Sequence, residues 1–175
     1  MTFELDGGLH RVLEYQHSYI GRGSANVRTK LRNLRTGRTI DRTFSASEKL
    51  QEVRLELRQV QFLYRDGDLY YFMDTETYEQ PALSAEVLGD RMNYLKEGLI
   101  LSLSMHEGQA VEVELPVTVE LEVTQTEPGI KGDTATGTAK RATLETGLGV
   151  QVPLFVEQGD IIRVDTRTGG YLTRV

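Results

Sequence analysis

The feature that most constrains this chain is a strict two-residue alternation, repeated in short runs with glycine turns between them. In 26–32, Val27, Thr29 and Leu31 point one way and Arg28, Lys30 and Arg32 the other. Period two with one apolar face describes a half-buried β-strand. The same rhythm runs through Val117, Val119, Leu121 and Val123 against Thr118, Glu120 and Glu122. Further strands are expected over Val12 to Ile20, Thr39 to Phe44, Val53 to Tyr64, Leu69 to Met73, Ile100 to Met105 and Val111 to Leu115. The last are expected at Ala142 to Leu144, Val150 to Val156, Ile161 to Val164 and Tyr171 to Arg174. Asp66-Gly67 between two aromatic runs signals a hairpin. One short helix is expected within Leu83 to Tyr94, with Asp90 to Leu95 the favoured span and Gly98 stopping it. Many short strands and scarcely any helix make the chain all-β, arranged as three small barrels.

The first two runs flank Gly21-Arg22-Gly23-Ser24-Ala25. Glycine permits tight reversal, so this reads as a hairpin tip with one permanent cation at its apex. Taken alone, the same residues are better read as an ordinary solvated turn. Charge supplies context. Residues 1–54 carry 10 basic and 6 acidic side chains, net +4. Residues 55–116 carry 4 and 12, net −8, and residues 117–175 carry 6 and 8, net −2. An acidic chain with a basic first third meets a polyanion at one end. The Arg28, Lys30, Arg32 stripe, extended by Arg35, Arg38 and Arg42, is the candidate phosphate-contacting face. Boundaries are expected near Arg54 and Pro116, giving domains 1–54, 55–116 and 117–175.

Chemistry-bearing constellations are missing from the sequence. His10, His17 and His106 have no metal-ligand spacing, and no phosphate-binding loop motif occurs. The chain has no cysteine, which removes disulfides and thiolate metal sites. No cofactor, metal or catalytic residue is expected, and the chain does not read as an enzyme. The start lacks a signal-peptide pattern and no run is long enough to span a membrane, so a cytoplasmic protein without a membrane partner is expected. What remains is a binding protein. A long polar segment, Glu127 to Arg141, has little to bury and is either functional or irregular. Tyr70, Tyr71 and Phe72 suggest a stacking platform, although alternation puts Phe72 or Tyr71 in the core.

The C-terminal third carries a specific pattern: Lys140-x-Ala142-x-x-x-x-Gly147-x-x-Val150-x-Val152-Pro153-x-x-Val156-x-x-Gly159. At every fixed position it resembles the signature of bacterial elongation factor P, here of the arginine-tip type. Pro128-Gly129-Ile130-Lys131-Gly132-Asp133-Thr134, Val164 to Gly169, Met73 to Gln80 and Glu14-Tyr15-Gln16-His17 resemble the same family, so the resemblance spans nearly the whole chain. It implies an elongated, tRNA-shaped, monomeric protein with an SH3-like (KOW) barrel followed by two OB-folds. It implies partners as well: both subunits of the 70S ribosome, the P-site peptidyl-tRNA and E-site mRNA. Bound between the P and E sites, such a protein stimulates peptide bonds between consecutive prolines.

By the same resemblance, Gly21, Arg22 and Gly23 approach the tRNA acceptor end. Gly132, Asp133, Thr134 and Lys140 face mRNA and the small subunit, and Tyr171 and Arg174 contact tRNA or rRNA. Members with an arginine tip can carry a sugar on the guanidinium, which makes Arg22 a candidate modification site and an arginine glycosyltransferase a candidate partner. Many members have lysine where this chain has Arg22, and many have an extra strand before Phe3, whose absence is expected to leave a barrel edge unpaired. The reading that the barrels alone support, a generic single-stranded RNA-binding or RNA-chaperone module, stays open beside this one.

Overall fold

The alternation over 26–32 is realised as a strand in a sheet of order β1-β2-β3-β4, made of β1 (Thr2–Leu5), β2 (Gly8–Ser18), β3 (Asn26–Asn33) and β4 (Thr39–Ser45). The structure is a computed structural model and describes residues 1–18, 25–128 and 139–175. Thr29 and Leu31 are buried while Arg28 and Lys30 are exposed, as the pattern requires. Phe3, Leu31 and Phe44 form the small core, with the rings of Phe3 and Phe44 edge to face at 5.8 Å. Segment 51–53 covers the outer side of β1, through Glu4 N–H to Gln51 O and Val53 N–H to Thr2 O, and β4 ends the sheet.

The second sheet has order β7-β6-β5-β8-β9: β5 (Glu56–Asp66), β6 (Leu69–Asp74), β7 (Ala82–Ser84), β8 (Ile100–His106) and β9 (Gln109–Glu114). Gly67 holds φ 57° in the two-residue turn between β5 and β6, a conformation that costs a residue with a Cβ. Strand β5 starts later than the Val53-Leu55-Leu57 alternation suggests. Val60 and Phe62 fix its phase, so Leu57 faces outward at 63% exposure and Arg58 turns partly inward. Burying two aromatic or branched side chains outweighs exposing one leucine. The helix lies within the expected Leu83 to Tyr94 stretch but begins before Asp90. A single turn, α1 (Ala85–Leu88), is capped by Ser84 Oγ accepting from Val87 N–H, and it runs into a 3-10 segment, Gly89–Tyr94.

The third sheet has order β12-β11-β10-β13-β14: β10 (Thr118–Thr126), β11 (Ala139–Leu144), β12 (Gly149–Pro153), β13 (Ile161–Asp165) and β14 (Tyr171–Arg174). Its core is branched and aliphatic: Val119, Leu121, Val123, Leu144, Val152, Ile162 and Val164. Tyr94 joins this core from the 3-10 segment of the second sheet's domain and is 8% exposed. Thr146 Oγ1 donates to Asn93 O at 2.5 Å and Thr166 Oγ1 to Pro116 O at 2.6 Å, fastening the second and third domains further.

Candidate RNA interface

Strands β2 and β3 run out toward residues 19–24, with β4 paired along the other side of β3 as far as Asn26–Ser45. The β2–β3 pairing extends from His10–Asn33 to Ser18–Asn26, with a bulge at Leu13. From Leu13 to Ser18 every β2 residue is exposed, while opposite them Thr29 is buried and Val27 half-buried beside Phe44 of β4, so β2 is the exposed edge of this stretch. Tyr15 and His17 lie edge to face at 5.6 Å there. Gly21, Arg22 and Gly23 fall outside the described residues, as do Gly132, Asp133 and Thr134. The register pair Ser18–Asn26 is the last described step before residues 19–24.

The cationic stripe is real only in part. Arg28 stands between Gln16 and Thr43 on the neighbouring strands, and Lys30 between Glu14 and Asp41. Directly opposed residues on antiparallel strands share a face, so two carboxylates dilute the charge around Lys30. Arg42 is a correction to the expected stripe. It pairs with Thr29, which places it on the other face, where its guanidinium lies 5.5 Å from the Phe44 ring centroid and 2.9 Å from Asp6 Oδ2. Arg35 and Arg38 are exposed in the β3–β4 turn. Asn33 Oδ1 holds that turn by accepting from the N–H groups of Arg35 and Thr36, both at 2.9 Å. His10 Nδ1 lies 3.0 Å from Gly8 O and its Nε2 lies 3.3 Å from Asn33 Nδ2. Donation from Nδ1–H leaves Nε2 to accept from Asn33, so this buried histidine is a structural tie.

Arg32 is half-buried and leaves the open face. It lines a groove between the domains together with Arg11, Arg91, Glu112, Glu114 and Arg167. Arg11 Nη1 approaches Glu112 Oε2 to 2.7 Å, and Arg91 Nη2 donates to Glu112 Oε1 at 2.9 Å. Burial lowers the Arg91 pKa from its ordinary value, and Glu112 opposes that shift. Nothing in the sequence singled out Arg11, Arg91 or Glu112, which lie far apart along the chain.

In the third domain, Lys140 is not a loop residue. It sits in β11 opposite Val152 and is 7% exposed. The Asp160 carboxyl is held below its ordinary range first by the Glu157 N–H and then by Arg174, with the Lys140 charge the least of these. Tyr171 is half-buried against the core, while Arg174 is exposed. Arg174 donates to Asp160 Oδ2 at 3.3 Å and lies 5.1 Å from the centroid of Phe155, itself 57% exposed. This exposed cation–aromatic pair was not legible in the sequence, because Phe155 belongs to an apolar run that reads as core. The stacking platform is reduced to one exposed pair. Tyr70 and Phe72 are core, and Tyr71 stacks outward on Tyr64 at 4.8 Å. Among the described residues no cluster of His, Asp and Glu could hold a metal ion, and no helix is long and apolar enough to cross a membrane.

A KOW-like barrel followed by OB domains, with the exposed outer half of β2 and a basic strand face, defines a class of translation factor. Family models match along the chain: the elongation factor P KOW-like domain over residues 1–50, the elongation factor P OB domain over 55–113 and the elongation factor P C-terminal domain over 119–174. Elongation factor P of Acetivibrio thermocellus is 54% identical over 175 residues, covering 100% of this chain and 95% of that relative. That of Moorella thermoacetica is 54% identical over 174 residues, covering 99% and 94%. That of Desulforudis audaxviator is 55% identical over 174 residues, again covering 99% and 94%. Among solved structures, eukaryotic translation initiation factor 5A from Methanococcus jannaschii superposes with a TM-score of 0.52 at 21% identity, covering 65% of this chain and 85% of that one; this likeness concerns the fold alone. The chain belongs to the elongation factor P family, and is a translation elongation factor.

Proposed function

We propose that this factor binds the 70S ribosome between the P and E sites and relieves stalling at consecutive prolines by holding the P-site peptidyl-tRNA in a reactive position. The observation that carries this reading is the outer half of β2, Leu13 to Ser18, exposed at every residue and leading in sequence to Gly21-Arg22-Gly23. An exposed strand edge of this kind has its surface free for a partner. Arg22 keeps its charge at any physiological pH, so it transfers no proton. Its planar guanidinium makes paired hydrogen bonds to phosphate or sugar oxygens at the tRNA acceptor end. Proline is a slow, poorly oriented nucleophile, and fixing its reaction partner lowers the entropic part of the barrier. The peptidyl transfer itself stays with the ribosome, and this chain is no enzyme.

The domains run 1–54, 55–116 and 117–175. Arg28 and Lys30 contact RNA backbone on β3, and Arg32 does so from the groove side. Gly132, Asp133 and Thr134 meet mRNA and the small subunit. Tyr171 and Arg174 meet tRNA or rRNA. The protein acts as a cytoplasmic monomer, and Arg22 works either bare or glycosylated on the guanidinium by an arginine glycosyltransferase. Lysylation is excluded chemically, because a delocalised guanidinium offers no neutral amine. The test is Arg22→Ala in a reconstituted translation assay on a polyproline template. Loss of rescue with an unchanged melting temperature supports the reading, and full rescue by the variant refutes it. Binding to 70S ribosomes carrying P-site tRNA, measured beside binding to free single-stranded RNA, separates it from a generic RNA-binding module.

A further inference from the structure

Domain I and the rest of the molecule are joined differently from domains II and III. The latter pair share a core through Tyr94 and two side-chain hydrogen bonds to backbone carbonyls. Between residues 1–54 and 55–116, the ion pairs among the described residues both start at Arg11, reaching Glu112 at 2.7 Å and Glu114 at 3.8 Å. Glu112 is unusual for its place in the sheet. Its neighbour Val113 faces the core of domain II, so alternation turns Glu112 to the opposite face, yet it is only 3% exposed. Arg91 from its own domain and Arg11 from domain I lie against its two oxygens. A buried carboxylate that loses a partner keeps its desolvation cost without compensation. Oε2 accepts no hydrogen bond, so the Arg11 guanidinium at 2.7 Å is its charge partner across the cleft, and turning domain I away would remove it. The contact is therefore directional, unlike the apolar one that Leu9 and Leu34 face across the cleft toward Val87 and Val111.

We infer that Glu112 is a positioning residue: bridging Arg11 and Arg91, it fixes the angle between domain I and the II–III body and so aims the β2–β3 pair. The role in aiming rests on the function proposed above, whereas the latch itself does not. Arg11 precedes the bulge of β2 by two residues, so the guanidinium that is held belongs to the same strand that runs out to Ser18. Leverage follows from that placement. A small rotation at Arg11 becomes a larger displacement at Ser18, the far end of the same strand.

The chain has no cysteine, so introduced pairs can be labelled specifically. Spin labels at Thr43→Cys in domain I and Glu76→Cys in domain II, both exposed positions, report the interdomain distance in the full-length free protein by pulsed electron paramagnetic resonance. The unmodified latch should give one narrow distance distribution. Arg11→Met and Glu112→Gln should each widen it at least twofold, and Arg11→Lys, which keeps the cation, should hold it narrow. If Glu112→Gln fails to fold, Arg11→Met decides alone, since Arg11 lies at the rim of the cleft. A distribution equally narrow in Arg11→Met overturns the latch, whatever Arg22→Ala does on the ribosome. A widened distribution with undiminished polyproline synthesis overturns the aiming role. Widening in Arg11→Met together with slowed synthesis, both restored by Arg11→Lys, supports the inference.

Discussion

Tyr94→Ala tests whether domains II and III behave as one body. Tyr94 leaves the 3-10 segment of one domain and is 8% exposed inside the core of the next, between Val119, Leu121 and Val164 among others. A buried aromatic ring removes roughly 200 Å² from water. At about 25 cal/mol per Å² that corresponds to about 5 kcal/mol, an upper figure because the unfolded chain already hides part of the ring. Measured aromatic-to-alanine changes in cores cost about 3–5 kcal/mol, so about 3–4 kcal/mol is expected here. For a cooperative unit of this size that lowers the melting temperature by roughly 10 °C or more. Calorimetry should show the wild-type II–III body melting as one transition, and the variant melting lower with that transition split. Tyr94→Phe keeps the ring and should cost under about 1 kcal/mol. A Tyr94→Ala loss below about 1 kcal/mol, or an unsplit and unshifted transition, would refute the shared core.

Three further outcomes are expected. The Arg167 side chain, followed by its backbone N–H, holds the Asp165 carboxyl down at about 2, against an ordinary value of 3.8. A depressed folded-state value contributes stability above 3.8 that is lost as pH falls toward about 2. The stability gap between wild type and Asp165→Asn should therefore close over that window in acid melts, and a gap constant with pH would contradict the assignment. Reversing Arg28 and Lys30 to Glu should weaken ribosome binding and flatten its salt dependence, because fewer counterions are released; in a filtration assay over a salt series, an unaltered slope would exclude phosphate contact by this face. Phe155→Ala should leave the melting temperature within about 2 °C, as an exposed position contributes little, but should reduce binding to P-site-loaded ribosomes if the Arg174–Phe155 pair meets RNA. Full binding by this variant would assign the pair to local packing alone.

The sequence by itself determined most of the strands, because alternation is a local property, but β1 and β7 are too short to show it. A period of two with branched residues on one side admits one backbone geometry, and glycine turns set where it reverses. It determined the family too, since the spacing of Lys140, Gly147, Val150, Val152, Pro153, Val156 and Gly159 is a linear pattern. Tertiary structure decided which charges matter. Lys140 is basic in the sequence but sinks into β11, Arg42 crosses to the Phe44 face, and Leu57 turns outward once Val60 and Phe62 set the phase of β5. Most of all it decided the joints. Arg11, Arg91 and Glu112 meet, and Tyr94 enters a neighbour's core, only after three separate sheets have formed and docked. Such contacts carry no periodicity, because their geometry depends on the relative placement of whole domains and not on the local course of the chain.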